Sequence, residues 1–350
     1  MVISMSSEAS PAEISQVVEF IRAHHARPHI SRGAERTIIG VIGYRHEVQI
    51  EQLLTLPGVE TVIPISRPYK LVSREFKREN TIIKVDGVQI GGAEPVMIAG
   101  PCSVENEEQI LQAARMAKKK GAHLFRGGAF KPRTSPYSFQ GLGEEGLRLL
   151  QLAKQETGLP IVTEILDSKD VPLGQEYADV LQIGARNMQN YSLLKEAGRS
   201  GKPVLLKRGM SADFKEFMMS AEYIMSEGNN EVILCERGIR SFVEFTRNTL
   251  DLNIIPAVKS ASHLPIIVDP SHGTGRRDLI ESMSLAALAA GADGLMVEMH
   301  PRPESSWSDA NQTMNPQEFS DLMEKFNYFI YCKNNFEKYK NSQKIMKKAV

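Results

Sequence analysis

From residue 95 onward, eight short apolar runs recur: Val96–Ala99, His123–Phe125, Ile161–Thr163, Val180–Ile183, Val204–Leu206, Val232–Leu234, Pro265–Val268 and Gly294–Val297. Their starts lie about 28 residues apart on average. Between most of them sits a stretch with helical apolar spacing, such as Glu107–Lys120, Glu144–Glu156, Ala212–Glu227 and Leu279–Ala290. Strands that are apolar throughout belong to a parallel sheet covered by helices. Eight strand–helix units predict a (β/α)8 barrel, and their regularity disfavours a doubly wound open sheet.

The first 90 residues follow a different pattern. Glu13–His24 carries Ile14, Val17, Val18 and Ile21 at helical spacing. Thr37–Gly43 and Val59–Pro64 read as strands, with a short helix over Val48–Leu56 that Pro57-Gly58 ends. This alternation predicts a small α+β domain ahead of the barrel. Asp86-Gly87, centred in Thr81–Ile90, predicts a hairpin between the two. The expected layout is a small domain over 1–75, a linker with the hairpin over 76–94, the barrel over 95–335, and a basic tail over 336–350.

A barrel of this kind does its chemistry at the C-terminal ends of its strands. Every run here leads to an ionisable side chain. The first is followed by Gly100-Pro101-Cys102-Ser103, the second by Arg126 and then Lys131-Pro132-Arg133-Thr134-Ser135. The third ends in Glu164, the fourth leads to Arg186, and the fifth to Lys207-Arg208. Glu236-Arg237, Asp269-Pro270-Ser271-His272 and Glu298-Met299-His300 follow the last three. So many cations at one mouth would repel one another without a bound polyanion, and guanidinium forks suit phosphate and carboxylate. Cys102, His272, Glu298 and the later Asp309 form a donor set for one divalent ion, with zinc, manganese, iron(II) and cobalt(II) all open.

Alternative roles bear on several of these residues. Strand alternation turns Arg208 to the face opposite Lys207, away from the site. Cys235 ends a buried run and reads as core. His300 is a rival ligand to Glu298, and Arg276-Arg277 read as a helix-start salt bridge rather than a phosphate clamp.

Net charge decides which partner classes to drop. The 42 basic and 42 acidic residues cancel, unlike the positive excess of a nucleic-acid binder. A 42% hydrophobic content excludes a disordered chain. The longest small-apolar stretch, Ser282–Gly294, is too short to span a membrane, and Met1–Pro11 lacks the pattern of a secretory leader. With only three cysteines, Cys102, Cys235 and Cys332, a reducing cytoplasmic location is expected.

The ordered motifs Ala99-Gly100-Pro101-Cys102-Ser103, Arg126-Gly127-Gly128, Lys131–Ser135, Gln182–Asn187, Leu206–Gly209, Cys235–Gly238 and Asp269–His272 carry a resemblance. The chain resembles the metal-dependent 3-deoxy-7-phosphoheptulonate synthases, in the subgroup with an N-terminal ferredoxin-like domain. His29–Gly33 and Glu35–Thr37 are similar to that domain. The resemblance implies condensation of phosphoenolpyruvate with erythrose 4-phosphate at the start of the shikimate pathway. It implies Cys102, His272, Glu298 and Asp309 as metal ligands. Arg126, Lys131, Arg186, Lys207 and Arg237 would hold phosphoenolpyruvate, and Arg133, Thr134 and Ser135 the aldose phosphate. Lys131, Glu164, Cys102 and His272 form the implied catalytic set, with Glu164 positioning a water.

The resemblance further implies a homotetramer inhibited by tyrosine or phenylalanine, with His29 and Ser31 in the regulatory domain as candidate effector contacts. One alternative is 3-deoxy-octulosonate 8-phosphate synthase, which uses arabinose 5-phosphate. Its loop inserts Ala-Asn after the lysine, whereas here Pro132 leads directly into Arg133. The other is an inactive amino-acid-sensing barrel, against which the complete metal and cation set speaks.

Overall fold

The computed structural model describes residues 1–33, 36–42, 50–63 and 68–348, with side chains up to Phe336. Glu35, Gly43, Val48, Gln49 and Pro64 lie outside the described residues, as do the side chains of the last lysines.

Strands β1 (Val2–Met5), β2 (Arg27–Arg32), β3 (Thr37–Ile42) and β4 (Val59–Ile63) form an antiparallel sheet in the order β2-β3-β1-β4. Helices α1 (Pro11–Ala23) and α2 (Ile50–Leu54) separate β1 from β2 and β3 from β4, giving a ferredoxin-like βαββαβ unit. Ser10 and Glu13 close a capping box at the start of α1, which satisfies the N–H groups of both residues. Val17, Val18 and Ile21 then bury against Ile3, Met5, Ile39 and Val41. On the sheet's other face, Val2 joins Tyr69, Leu71, Val72 and Phe76 in a core continuous with that of the barrel.

The hairpin of β5 (Ile83–Val85) and β6 (Val88–Ile90) turns at Asp86-Gly87, both with positive φ, as a tight two-residue turn requires. Eight parallel strands follow: β7 (Val96–Gly100), β8 (Leu124–Arg126), β9 (Ile161–Ile165), β10 (Val180–Ile183), β11 (Val204–Lys207), β12 (Val232–Glu236), β13 (Ile266–Val268) and β14 (Gly294–Glu298). They close into a barrel, with β14 pairing to β7. Around them run α3 (Glu107–Lys119), α4 (Glu144–Thr157), α5 (Val171–Tyr177), α6 (Tyr191–Arg199), α7 (Phe214–Met225), α8 (Ile254–Ala261), the short α9 (Pro270–Thr274), α10 (Ile280–Ala289) and α11 (Pro316–Lys348).

Alternation along each strand divides the core into two layers. Val96 and Ile98 point into the barrel with Val162, Leu205, Ile233, Cys235 and Met296, while Met97 and Ala99 face the helices. Ile83, Val85 and Ile90 share the inner cluster, so the hairpin plugs the N-terminal end of the barrel. The opposite end stays available for polar groups.

Candidate active site

At the C-terminal mouth lies a cavity of about 340 Å3. Arg126, Lys131, Arg133, Thr134, Ser135, Glu164, Arg186, Lys207, Arg237, His272 and Asp309 all line it, so strand ends far apart in sequence converge. Cys102 and Glu298 lie beside its wall. Their donor atoms, with those of His272 and Asp309, all fall within 4.8 Å of one another.

Each donor is held from behind. At the end of β7, Gly100 leaves room for the neighbouring strand, since a Cβ there would stand 1.9 Å from the Arg126 carbonyl oxygen. Cys102 follows in the loop, its Sγ 3.0 Å from Asp309 Oδ2 and 2.9 Å from Lys131 Nζ. Asp269 caps α9 by accepting the His272 N–H at 2.9 Å, and accepts the ring Nδ1–H at 2.7 Å. That second bond assigns the proton to Nδ1 and leaves the Nε2 lone pair toward the cluster, 3.4 Å from Glu298 Oε1. Glu298 accepts from Arg126 at 2.7 Å and from the Gln312 amide at 2.7 Å. Asp309 adopts a left-handed backbone (φ 52°), a conformation that Asp tolerates better than most residues.

The electrostatics suit a cation. Burial disfavours a charged Glu298, but the positive charge gathered around it, Arg126 and Lys131 included, outweighs it and holds the carboxyl down at about 2. Burial, then the Glu298 charge, pushes the Cys102 thiol up to about 12. A bound divalent ion would reverse that by expelling the proton. One thiol, one correctly tautomeric imidazole and two carboxylates at this spacing fit a first-row divalent ion.

The cations divide into two groups. Arg126 pairs with Glu298 and Lys207 with Asp269, all buried. Arg186 donates to the Pro132 carbonyl and, at 3.3 Å, to the Thr134 hydroxyl, which ties it to the loop of Arg133. Arg237 touches the Gly238 carbonyl at 3.3 Å, and burial lowers its pKa. Glu164 accepts from the Gln182 amide at 3.2 Å. Gly184 makes that placement possible, because a Cβ there would meet Glu164 Oε1 at 1.9 Å.

Several expected bystanders lie elsewhere. Arg208 is buried against Glu236 (3.1 Å) and Asp251 (2.8 Å). Cys235 packs inside the barrel, and His300 turns toward Glu105. Arg276 pairs with Asp278. His29 and Ser31 share a face of β2, and His29 Nε2 sits 2.9 Å from Asn230 Oδ1 in the loop after α7.

Sequence reasoning passed over Asp269, Gln312 and Arg247. Asp269 stood in the quoted Asp269–His272 motif, where its place three residues before His272 is a cap signal. Arg247 lines the cavity 3.6 Å from Asp309 and donates to Gln312 at 3.0 Å, with no local pattern to announce it.

Comparison with known proteins gives a consistent result. The DAHP synthetase I family matches residues 75–329, and the DAHP synthase ferredoxin-like domain matches residues 1–67. A phospho-2-dehydro-3-deoxyheptonate aldolase of Thermotoga maritima is 48% identical over 325 residues, covering 93% of this chain and 96% of the relative. The crystal structure of a Thermotoga maritima protein of that name matches with a TM-score of 0.76 at 47% identity, covering 95% of this chain and 97% of that one. A truncated form of the Thermotoga maritima 3-deoxy-D-arabino-heptulosonate 7-phosphate synthase covers 75% of this chain and 97% of its own, with a TM-score of 0.71 at 46% identity. A 2-dehydro-3-deoxyphosphooctonate aldolase of Syntrophotalea carbinolica is more distant, 36% identical over 252 residues, covering 66% of this chain and 90% of the relative.

Proposed function

The chain belongs to the DAHP synthetase I family, and on that premise we propose that it condenses phosphoenolpyruvate with erythrose 4-phosphate. The products are 3-deoxy-D-arabino-heptulosonate 7-phosphate and inorganic phosphate. The observation that carries this reading is one cavity lined by cations from several strand ends, with the Cys102, His272, Glu298 and Asp309 cluster at its wall.

Arg126, Lys131, Arg186, Lys207 and Arg237 bind the phosphate and carboxylate of phosphoenolpyruvate. Arg133, Thr134 and Ser135 hold the phosphate of the aldose. Cys102, His272, Glu298 and Asp309 would hold a divalent cation, which would supply Lewis acidity toward the aldehyde. The side chains bring together two anions that repel in water, which is where proximity contributes most. Carbon 3 of phosphoenolpyruvate forms the new bond to the aldehyde carbon. Water adds at carbon 2, oriented by Glu164 with its Gln182 partner. Phosphate then leaves by cleavage on its carbon side.

Consumption of the enol absorbance of phosphoenolpyruvate tests the reading. Turnover is expected with erythrose 4-phosphate and a divalent ion, and loss of turnover with a chelator. Activity with arabinose 5-phosphate alone would transfer the chain to the octulosonate branch. The direct Pro132-Arg133 step supports the shorter substrate.

Feedback inhibition by tyrosine or phenylalanine is the regulatory half of the proposal, with His29 and Ser31 as effector contacts. It is supported by the ferredoxin-like domain and by the hydrogen bond through which His29 already meets the barrel. Removing residues 1–67 is expected to leave turnover largely intact while abolishing inhibition. Inhibition that survives the truncation would put the effector on the barrel. Exposed Tyr328 and Tyr331 on α11 supply apolar surface for a homotetramer.

A further inference from the structure

Cys102 and Asp309 reach the cation cluster on loops, one after β7 and one after β14. Directly behind them the two loops are joined by buried polar contacts. Ser103, the residue after Cys102, lies 2.9 Å hydroxyl to hydroxyl from Ser308, the residue before Asp309. Glu105 completes the joint. Its Oε1 accepts from the Trp307 N–H at 2.8 Å, the Ser306 hydroxyl at 3.3 Å and the Ser103 hydroxyl at 3.5 Å.

The other oxygen, Oε2, lies 3.5 Å from His300 Nε2. His300 accepts the Arg302 N–H at Nδ1 (2.9 Å), so the ring proton sits on Nε2 and faces the carboxylate. His300 in turn follows Glu298 by two residues. Glu105 thus touches the chain segments that carry three of the four donors. Yet it does not line the cavity and is not one of the donors.

Such an arrangement answers a physical need. Asp309 takes its left-handed backbone within a loop, so the direction of its carboxylate depends on what constrains that loop. A long loop supplies no such constraint alone. A buried carboxylate that receives hydrogen bonds from Ser306 and Trp307 of that loop and from Ser103 of the other does.

We propose that Glu105 is the positioning residue of the cation site, bracing the Asp309 loop against the Cys102 loop so that carboxylate and thiol meet. This rests on the cation-site reading above. A simple structural staple would affect stability without changing how the site binds its ion.

Cobalt(II) titration separates the two, because a thiolate–cobalt bond has its own charge-transfer absorption and needs no turnover. Wild type is expected to show that band. Glu105→Ala should bind cobalt about 10- to 100-fold more weakly, as loss of a group supporting metal ligands does. Glu105→Gln keeps an acceptor at one oxygen but turns an amide N–H toward His300, and should fall between them. It also serves if the alanine variant does not fold. In an Asp309→Asn background, removing Glu105 should add little, since its effect runs through that ligand. Wild-type cobalt affinity in the folded Glu105 variants would overturn the proposal, as would fully additive losses in the double variant. Absence of the thiolate band in wild type would overturn the cation-site reading itself, and this inference with it.

Discussion

Replacing Cys102 by serine is expected to lower kcat by about 1,000-fold or more while leaving the fold intact, the scale of a lost Lewis acid. The substitution changes little in shape. Lys131 Nζ, 2.9 Å from Sγ, can still donate to a hydroxyl, and its second bond, to the Cys102 carbonyl, is untouched. What disappears is the capacity to become an anion. A thiol can be driven to thiolate by a bound ion even from about 12, whereas a serine hydroxyl is a far weaker acid and a harder donor. The metal content of purified Cys102→Ser protein should fall in step with turnover. Cys235→Ser is the matched control. Cys235 is equally buried but packs among the inner barrel residues, so its loss should affect thermal stability and not metal content. Full turnover and metal content in Cys102→Ser would remove the thiol from the site.

The barrel was legible because its strands are buried on both faces and therefore apolar from end to end. The run at Val96–Ala99 became β7 (Val96–Gly100), and Pro265–Val268 became β13 (Ile266–Val268). The small domain was less so. Its edge strand β2 reads Arg-Pro-His-Ile-Ser-Arg, too polar and too exposed to carry a period-two signal. β1 is four residues long and earns its place by pairing with Gly40 and Ile63, far along the chain.

In the site, the ionisable groups were visible because each follows an apolar run, but their partners were not. From the strand ends alone, the mouth looked like a cluster of uncompensated positive charge. The structure pairs Arg126 with Glu298 and Lys207 with Asp269 across sequence separations of 172 and 62 residues. These pairings obey three-dimensional proximity, for which a linear pattern has no code.

That pairing changes what each cation is available to do, and Lys131 shows the difference most sharply. Lys131 is almost fully buried; burial lowers its pKa, yet the anions that can form beside it, a Cys102 thiolate first and then Glu298, raise it above the usual lysine value, so the ammonium persists through neutral pH. It stands between the thiol of the cation cluster and the cavity, fixed by two hydrogen bonds at 2.9 Å. On the proposed function it is a fixed charge between the two substrates, and such a charge contributes most where new charge develops. Lys131→Met, nearly isosteric, is therefore expected to lower kcat by about 100- to 1,000-fold, with a smaller change in KM for either substrate. Arg186→Gln should behave in the opposite sense. Arg186 is more exposed and braces the loop of Thr134, so its loss should raise KM and leave kcat closer to wild type. Steady-state kinetics on the two variants distinguish these roles. A Lys131→Met enzyme impaired only in KM would make Lys131 one more anion-binding group and return the developing charge to the remaining cations.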